Sequence, residues 1–313
     1  MPEILVLDAA TVRRLLDFDA LTDALRHGLI ELSSERASVP PRNAAFSGAG
    51  LLAAMPGYLP GAGLAVKLVS VFDGNGTQGL PSHQAVILMF DPETGSPMAI
   101  MDGTYITAVR TAGAAAVAGL ALARPNSTSL AILGAGVQAE AHLAAFSRSF
   151  NLTEVRVAAR NADHSAALAH QSSVAGVRKS FEEAVRGADI VCCCTNADSP
   201  IIRREWLAPG THVSSVGRGA ELDPGTVGAG SVFVEWRGAV TSPPPAGAVE
   251  LQGLDPAAVI EIGKVLAGTA PGRMSPDQIT VYKSTGHAVE DAAAAALVYA
   301  RARAENAGVT VTL

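Results

Sequence analysis

A chain of 313 residues, 49% hydrophobic and only 17% charged, with a formal charge of −6, has the material for one large or two ordinary domains with substantial cores. The absence of any basic run argues against a nucleic-acid backbone as partner. No uncharged run has the length of a membrane span, the Ala-rich residues 111–123 being too short, and Met1-Pro2-Glu3-Ile4 lacks the basic start of a signal peptide; the expectation is a soluble, cytoplasmic protein with a small-molecule site.

Residues 3–7 read as a strand, and Asp8 is placed to cap a helix carrying Val12, Leu15 and Leu16. A second helix over 19–35 puts Leu21, Ala24, Leu25, Leu29 and Leu32 on one face. Pro40-Pro41-Arg42-Asn43 stops helix formation and opens a set of strands at 51–55, 64–72, 84–90 and 97–101. Turns at Pro60-Gly61, Asp73-Gly74-Asn75-Gly76 and 91–95 separate them, which makes a mainly antiparallel α+β unit.

A long Ala-rich helix over 103–123 follows, ending at Arg124-Pro125. Arg110 is the only charge in its interior, and a guanidinium on an apolar helix must find an anion or a route to water. Lys67 poses the same problem in Leu64-Ala65-Val66-Lys67-Leu68-Val69, a strand apolar on both faces. Together with Arg42, these cations suggest a site that receives a carboxylate; the alternatives are pairing with an internal Asp or Glu, or snorkelling to the surface.

From Ser129 the pattern changes. Ser129-Leu130-Ala131-Ile132-Leu133 is a short apolar strand, Gly134-Ala135-Gly136 a tight turn, and 137–149 a helix. In such a strand-turn-helix the first glycine allows the sharp turn, the second lets a pyrophosphate approach the helix N-terminus, and Ala139 permits close helix packing. Strands at 154–158, 177–179, 189–194, 212–216 and 231–235 alternate with helices at 162–173 and 181–186, which implies a doubly wound parallel sheet. Thr195-Asn196 closes one strand at the carboxyl edge, where cofactor loops gather.

Cys192-Cys193-Cys194 lies inside an apolar strand and reads as small buried residues rather than a metal or redox site. The seven histidines are scattered, so no zinc site is expected. After 235, Ser242-Pro243-Pro244-Pro245 is neither helix nor central strand. A helix over 256–267, a strand over 279–283 and an Ala-rich helix over 288–304 complete the chain. The last helix matches 103–123 in composition, and the two are expected to pack together. This makes 1–124 plus 287–313 one α+β domain, with a dinucleotide-binding Rossmann domain, 125–286, inserted into it.

The acidic residue that binds a ribose diol at the end of the second Rossmann strand is absent from Val157-Ala158-Ala159-Arg160-Asn161. Arg160 is placed to meet a 2′-phosphate, which favours NADP(H) over NAD(H). Alternatively Arg160 is an exposed strand-end residue and Asp163 reaches a diol.

Several phrases together resemble the ornithine cyclodeaminase/mu-crystallin family. They are Val66-Lys67-Leu68-Val69-Ser70-Val71-Phe72, Gly79-Leu80-Pro81-Ser82-His83, Met101-Asp102-Gly103-Thr104, Thr107-Ala108-Val109-Arg110-Thr111-Ala112, Gly134-Ala135-Gly136-Val137-Gln138-Ala139 and Ile279-Thr280-Val281-Tyr282-Lys283-Ser284. They run in family order over nearly the whole chain. The resemblance implies a homodimer in which 1–124 plus 287–313 is the substrate-binding and dimerisation domain and 125–286 the NAD(P)-binding Rossmann domain, an amino- or imino-acid substrate, and a substrate carboxylate held by Arg42, Lys67 and Arg110. Lys67 and Arg110 are the catalytic candidates, and cofactor contacts are expected from Thr111, Gly134, Ala135, Gly136, Val137, Gln138, Arg160, Asn161, Thr195, Val216 and Lys283.

In one loop the chain departs from the family. The Asp that handles the amine in cyclodeaminases and alanine dehydrogenases is missing from Val216-Gly217-Arg218-Gly219-Ala220-Glu221-Leu222-Asp223-Pro224, and Arg218 stands near its place as a further substrate-binding candidate. A cation there repels an ammonium but tolerates an imine. The expected activity is therefore reduction of a ketimine such as Δ1-pyrroline-2-carboxylate. A cyclodeaminase or alanine-type dehydrogenase in which Glu221 or Asp223 replaces the acid is one alternative, and a non-catalytic NADP-binding dimer is another. Phe46, Met55, Tyr58 and His83 are candidates for the side-chain pocket.

Overall fold

The computed structural model describes residues 3–312. In chain order the elements are β1 (Glu3–Leu7), α1 (Ala9–Leu15), α2 (Phe18–Ser33), β2 (Asn43–Phe46), β3 (Leu51–Leu59), β4 (Gly63–Val71), β5 (His83–Phe90), β6 (Pro97–Asp102) and α3 (Thr104–Leu122). There follow β7 (Ser129–Leu133), α4 (Val137–Ser149), β8 (Glu154–Ala158), α5 (Ala162–Ala169), β9 (Ala175–Val177), α6 (Phe181–Val185), β10 (Ile190–Cys193) and β11 (His212–Ser215). The last are α7 (Pro224–Ala229), β12 (Ser231–Val234), α8 (Gly238–Thr241), β13 (Val259–Glu261), α9 (Ile262–Leu266), β14 (Thr280–Lys283), α10 (Ala288–Glu305) and β15 (Val309–Thr312).

Two compact units result, one running up to Arg110 and resuming at His287, the other spanning Thr111–Gly286. The division falls inside α3 rather than at 124. The end of α3 is tied into the second unit, where the Leu122 carbonyl accepts hydrogen bonds from Arg273 Nε and Thr280 Oγ1.

The first unit holds a seven-stranded sheet in the order β15-β1-β6-β5-β4-β3-β2. All neighbours are antiparallel except β1 and β6. Strand alternation sends Ala65, Lys67, Val69 and Val71 of β4 to the buried face, with Met55 and Ile87 opposite Lys67 on the flanking strands. Helix α10 covers this face, lying against α2, β3 and β4. The expected packing of α10 along α3 is therefore corrected: α10 meets α3 through the Arg110 side chain, and the apolar stripe it buries belongs to α2 and the sheet. Asp8 caps α1 as its sequence suggests, accepting from Thr11 N, and α2 begins at Phe18, one residue before the expected 19, with Asp17 accepting from Ala20 N.

The second unit is an eight-stranded parallel sheet in the order β13-β12-β14-β11-β10-β7-β8-β9. The strand order reverses between β7 and β10, which makes the carboxyl edge there the crevice of a doubly wound fold. Cys192, Cys193 and Cys194 are free and buried in and just beyond β10, where burial pushes their thiols up. The helix expected over 256–267 is broken. Asp255 caps a short turn at Pro256–Ala258 by accepting from Ala257 N, and the β-branched Val259 and Ile260 then pair with β12 before α9 begins.

Candidate active site

In the first unit Lys67 and Arg110 are nearly sealed from solvent, 1% and 4% exposed. Each has an internal anion from the first turn of α10, where Glu290 and Asp291 are also buried. Lys67 Nζ lies 2.8 Å from both carboxylate oxygens of Asp291. Arg110 donates from Nε to Asp291 Oδ1 at 2.8 Å and from Nη1 to Glu290 Oε2 at 2.7 Å. Internal pairing, the alternative reading of the stranded cations, is thus what the structure shows. It does not exhaust Lys67, whose only hydrogen-bond partner among the described residues is Asp291.

Burial and the adjacent Arg110 push Lys67 down to about 7, with Asp291 opposing them and Arg42 adding a smaller repulsion. Burial alone would raise Asp291, but Arg110 and Lys67 hold its carboxyl below the usual range. His287, the residue before α10, is pushed to about 3 by burial and by Arg42, with Asp291 favouring its charge less strongly, so it is neutral at physiological pH. Arg42 therefore acts electrostatically on both Lys67 and His287. Met55 is buried beside Lys67, Tyr58 and His83 are partly buried, and Phe46 is 71% exposed on β2.

Glu290 and Asp291 are the members of this buried cluster that sequence reasoning passed over. The signal was present: two adjacent carboxylates in an otherwise Ala-rich helix are as anomalous as Arg110 in α3.

In the second unit, Gly134 has φ +116°, and a Cβ there would come within 2.5 Å of the Cys194 carbonyl, so glycine is required. Gly136 caps α4 and faces open space. Val137 is exposed at the first turn, and Gln138 Oε1 beside it is buried without a hydrogen-bond partner. An open cradle over first-turn amides fits a dinucleotide pyrophosphate. Arg160 is exposed at the end of β8, while Asn161 is committed to capping α5 by accepting from His164 N at 3.0 Å. Thr111 is buried on α3.

The other expected cofactor residues enter a closed knot at the carboxyl edge. Glu221 is fully buried; its Oε1 accepts from Thr195 N and Oγ1 at 2.7 and 2.8 Å, and its Oε2 from Ser215 Oγ and Gly217 N at 2.7 and 2.8 Å. Lys283 donates to Ser215 Oγ at 3.0 Å, to the Gly217 carbonyl at 2.7 Å and to Glu250 at 3.0 Å. Lys283 thus has an acceptor for each N–H and is buried rather than presented to a cofactor. Val216 continues the β11 ladder, its amide donating to the Cys193 carbonyl at 3.2 Å. Gly217 is needed for close approach, since a Cβ there would lie 2.3 Å from Glu221 Cδ. Asp223 caps α7 through Thr226 N at 2.8 Å, and Arg218 is exposed.

The profile of the ornithine cyclodeaminase/mu-crystallin family matches residues 3–306. The ketimine reductase mu-crystallin of Mus musculus is 41% identical over 258 residues, which are 80% of this chain and 80% of that protein. The solved structure of Thermococcus litoralis Δ1-pyrroline-2-carboxylate reductase in complex with NADH and L-proline is 33% identical with a TM-score of 0.93, covering 98% of this chain and 100% of that one. An archaeal alanine dehydrogenase dimer with bound NAD is 30% identical with a TM-score of 0.89, covering 100% of both chains.

Proposed function

Because the chain belongs to the ornithine cyclodeaminase/mu-crystallin family, we propose that it is a nicotinamide-dependent oxidoreductase that reduces cyclic ketimines such as Δ1-pyrroline-2-carboxylate to the cyclic amino acid. A nicotinamide dinucleotide held at the α4 cradle would supply a hydride to the α-carbon. Gly134, Ala135, Gly136, Val137 and Gln138 hold its pyrophosphate. Lys67, Arg110 and Arg42 hold the substrate carboxylate and so fix the α-carbon and its nitrogen. When Lys67 is protonated these three cations face the two anions Glu290 and Asp291, and the surplus suits a ligand with one carboxylate.

The observation that favours a ketimine over ornithine is the state of the two acids near the family's missing Asp. Glu221 accepts four hydrogen bonds inside the knot and Asp223 caps α7. Neither is available to receive a substrate ammonium, whereas an imine asks for no such partner. Arg160, with no carboxylate at the end of β8, supports NADP(H) over NAD(H). The homodimer reading is supported by Leu52 and Val86, which are 51% and 42% exposed on the outward face of β3 and β5.

Oxidation of NADPH is measured with five- and six-membered cyclic ketimines, with pyruvate plus ammonia, and with ornithine as an ammonia-release control. Turnover of the cyclic ketimines in preference to the others is expected. Ammonia release from ornithine without ketimine turnover overturns the reading.

A further inference from the structure

We propose that Asp291 is the positioning residue for proton transfer, holding the Lys67 ammonium so that Lys67 delivers a proton to the substrate nitrogen, while its neighbour Glu290 serves the Arg110 carboxylate clamp. The proposal rests on the ketimine-reductase reading and assigns a division of labour to two adjacent acids.

The geometry separates them. Asp291 touches both cations, Lys67 through either carboxylate oxygen and Arg110 Nε through Oδ1, whereas Glu290 is bonded to Arg110 Nη1. Lys67 has a single hydrogen-bond partner among the described residues, so removing Asp291 leaves the ammonium without an orienting group. Both acids sit in the first turn of α10, which fixes their backbones, and both are buried. The charged groups that act on Lys67 are Arg110 from α3, Arg42 from the segment before β2 and Asp291 from α10; His287, the residue before α10, is acted on by Arg42, Asp291 and Arg110, and Glu290 bonds Arg110.

In the reductive step the imine carbon gains a C–H bond at the expense of the dihydronicotinamide, which is oxidised. The electron pair of the breaking C=N π bond moves to nitrogen. An N–H bond of Lys67 breaks, its pair stays on Nζ, and the substrate nitrogen takes the proton to become a secondary amine. Neutral Lys67 then regains a proton from water. An ammonium that titrates near neutrality suits this exchange, since donor and conjugate base are both accessible.

The test compares Asp291→Asn, Asp291→Glu and Glu290→Gln with the wild type in pH profiles of kcat/KM for a cyclic ketimine. It is paired with the 13C NMR titration of the Lys67 ε-carbon in the cofactor-free protein, assigned with Lys67→Arg. Asparagine withdraws the anion that favours the charged lysine, so the alkaline limb of the profile and the NMR midpoint both move to lower pH by a unit or more. Activity on the alkaline side falls about tenfold per unit. Glutamate at 291 restores most of the wild-type limb and shows that the chain tolerates change there. Glu290→Gln raises KM and leaves the limb in place. An unmoved NMR midpoint in Asp291→Asn overturns the proposal whether or not any ketimine is turned over. Absence of turnover by the wild type, with the midpoint shifted as expected, instead overturns the ketimine reading and, with it, the proton-delivery role.

Discussion

Lys67 in the first unit and Lys283 in the second are equally buried, each 1% exposed, yet they are bonded in opposite ways. Lys283 reaches a carboxylate, a hydroxyl and a backbone carbonyl, and the carboxylate beside it, Glu221, is saturated by loops that follow β10 and β11. Among the described residues Lys67 has one hydrogen-bond partner, and two cations act on it. A buried charge that is fully bonded holds structure in place; one left short of partners, among like charges, keeps affinity for something that arrives from outside. Burial alone therefore does not mark a site, whereas burial with unfilled bonding capacity does.

Replacing the two lysines in turn puts most weight on this contrast. Lys67→Met is expected to lower kcat/KM for a cyclic ketimine by about 10³-fold, with little loss in denaturation midpoint, because Asp291 keeps Arg110 as its partner. Lys283→Met strands Glu250 and the Gly217 carbonyl and costs about 3 kcal/mol in chemical denaturation, while turnover per folded molecule changes far less. Should the two results exchange places, the contrast fails.

A smaller effect sharpens the second unit alone. Arg160→Ser is expected to raise KM for NADPH about tenfold, the worth of roughly one charge-assisted bond, and to leave KM for NADH unchanged; equal effects on both cofactors count against a 2′-phosphate contact. Least of all, Asp223→Ala removes the α7 cap and lowers stability by about 1 kcal/mol without affecting ammonia or ketimine chemistry, which tests that this acid is structural.

The two regions were unequally legible in the sequence. The second unit could be read from local pattern, because a strand, a glycine turn and a helix are contiguous at 129–149 and the alternation continues for a hundred residues in the same style. In the first unit the anomaly of Lys67 and Arg110 was visible but its resolution was not. Their partners lie 224 and 181 residues further along the chain for Asp291, and no periodicity links positions so far apart. Lys283 shows the converse: as one residue of a family-like phrase it looked like a cofactor contact, and only the strand register reveals that it is enclosed by Ser215, Gly217 and Glu250. The short strands β13 and β15 escaped, β15 because it pairs with β1 at the opposite end of the chain, and β13 because Pro256 and the following alanines mimic a helix start.

The return of α10 and β15 to the first unit imposes an order on biosynthesis. When β4 and α3 leave the ribosome, the carboxylates that neutralise Lys67 and Arg110 have not been translated, and β1 waits for an edge partner at 309–312. The parallel sheet of the intervening unit is complete by Lys283 and can fold first as an independent body. The Lys67–Arg110–Asp291 cluster thus closes only after α10 is made, and a chain cut off before His287 would leave both cations without those partners, exposed to chaperones and proteases.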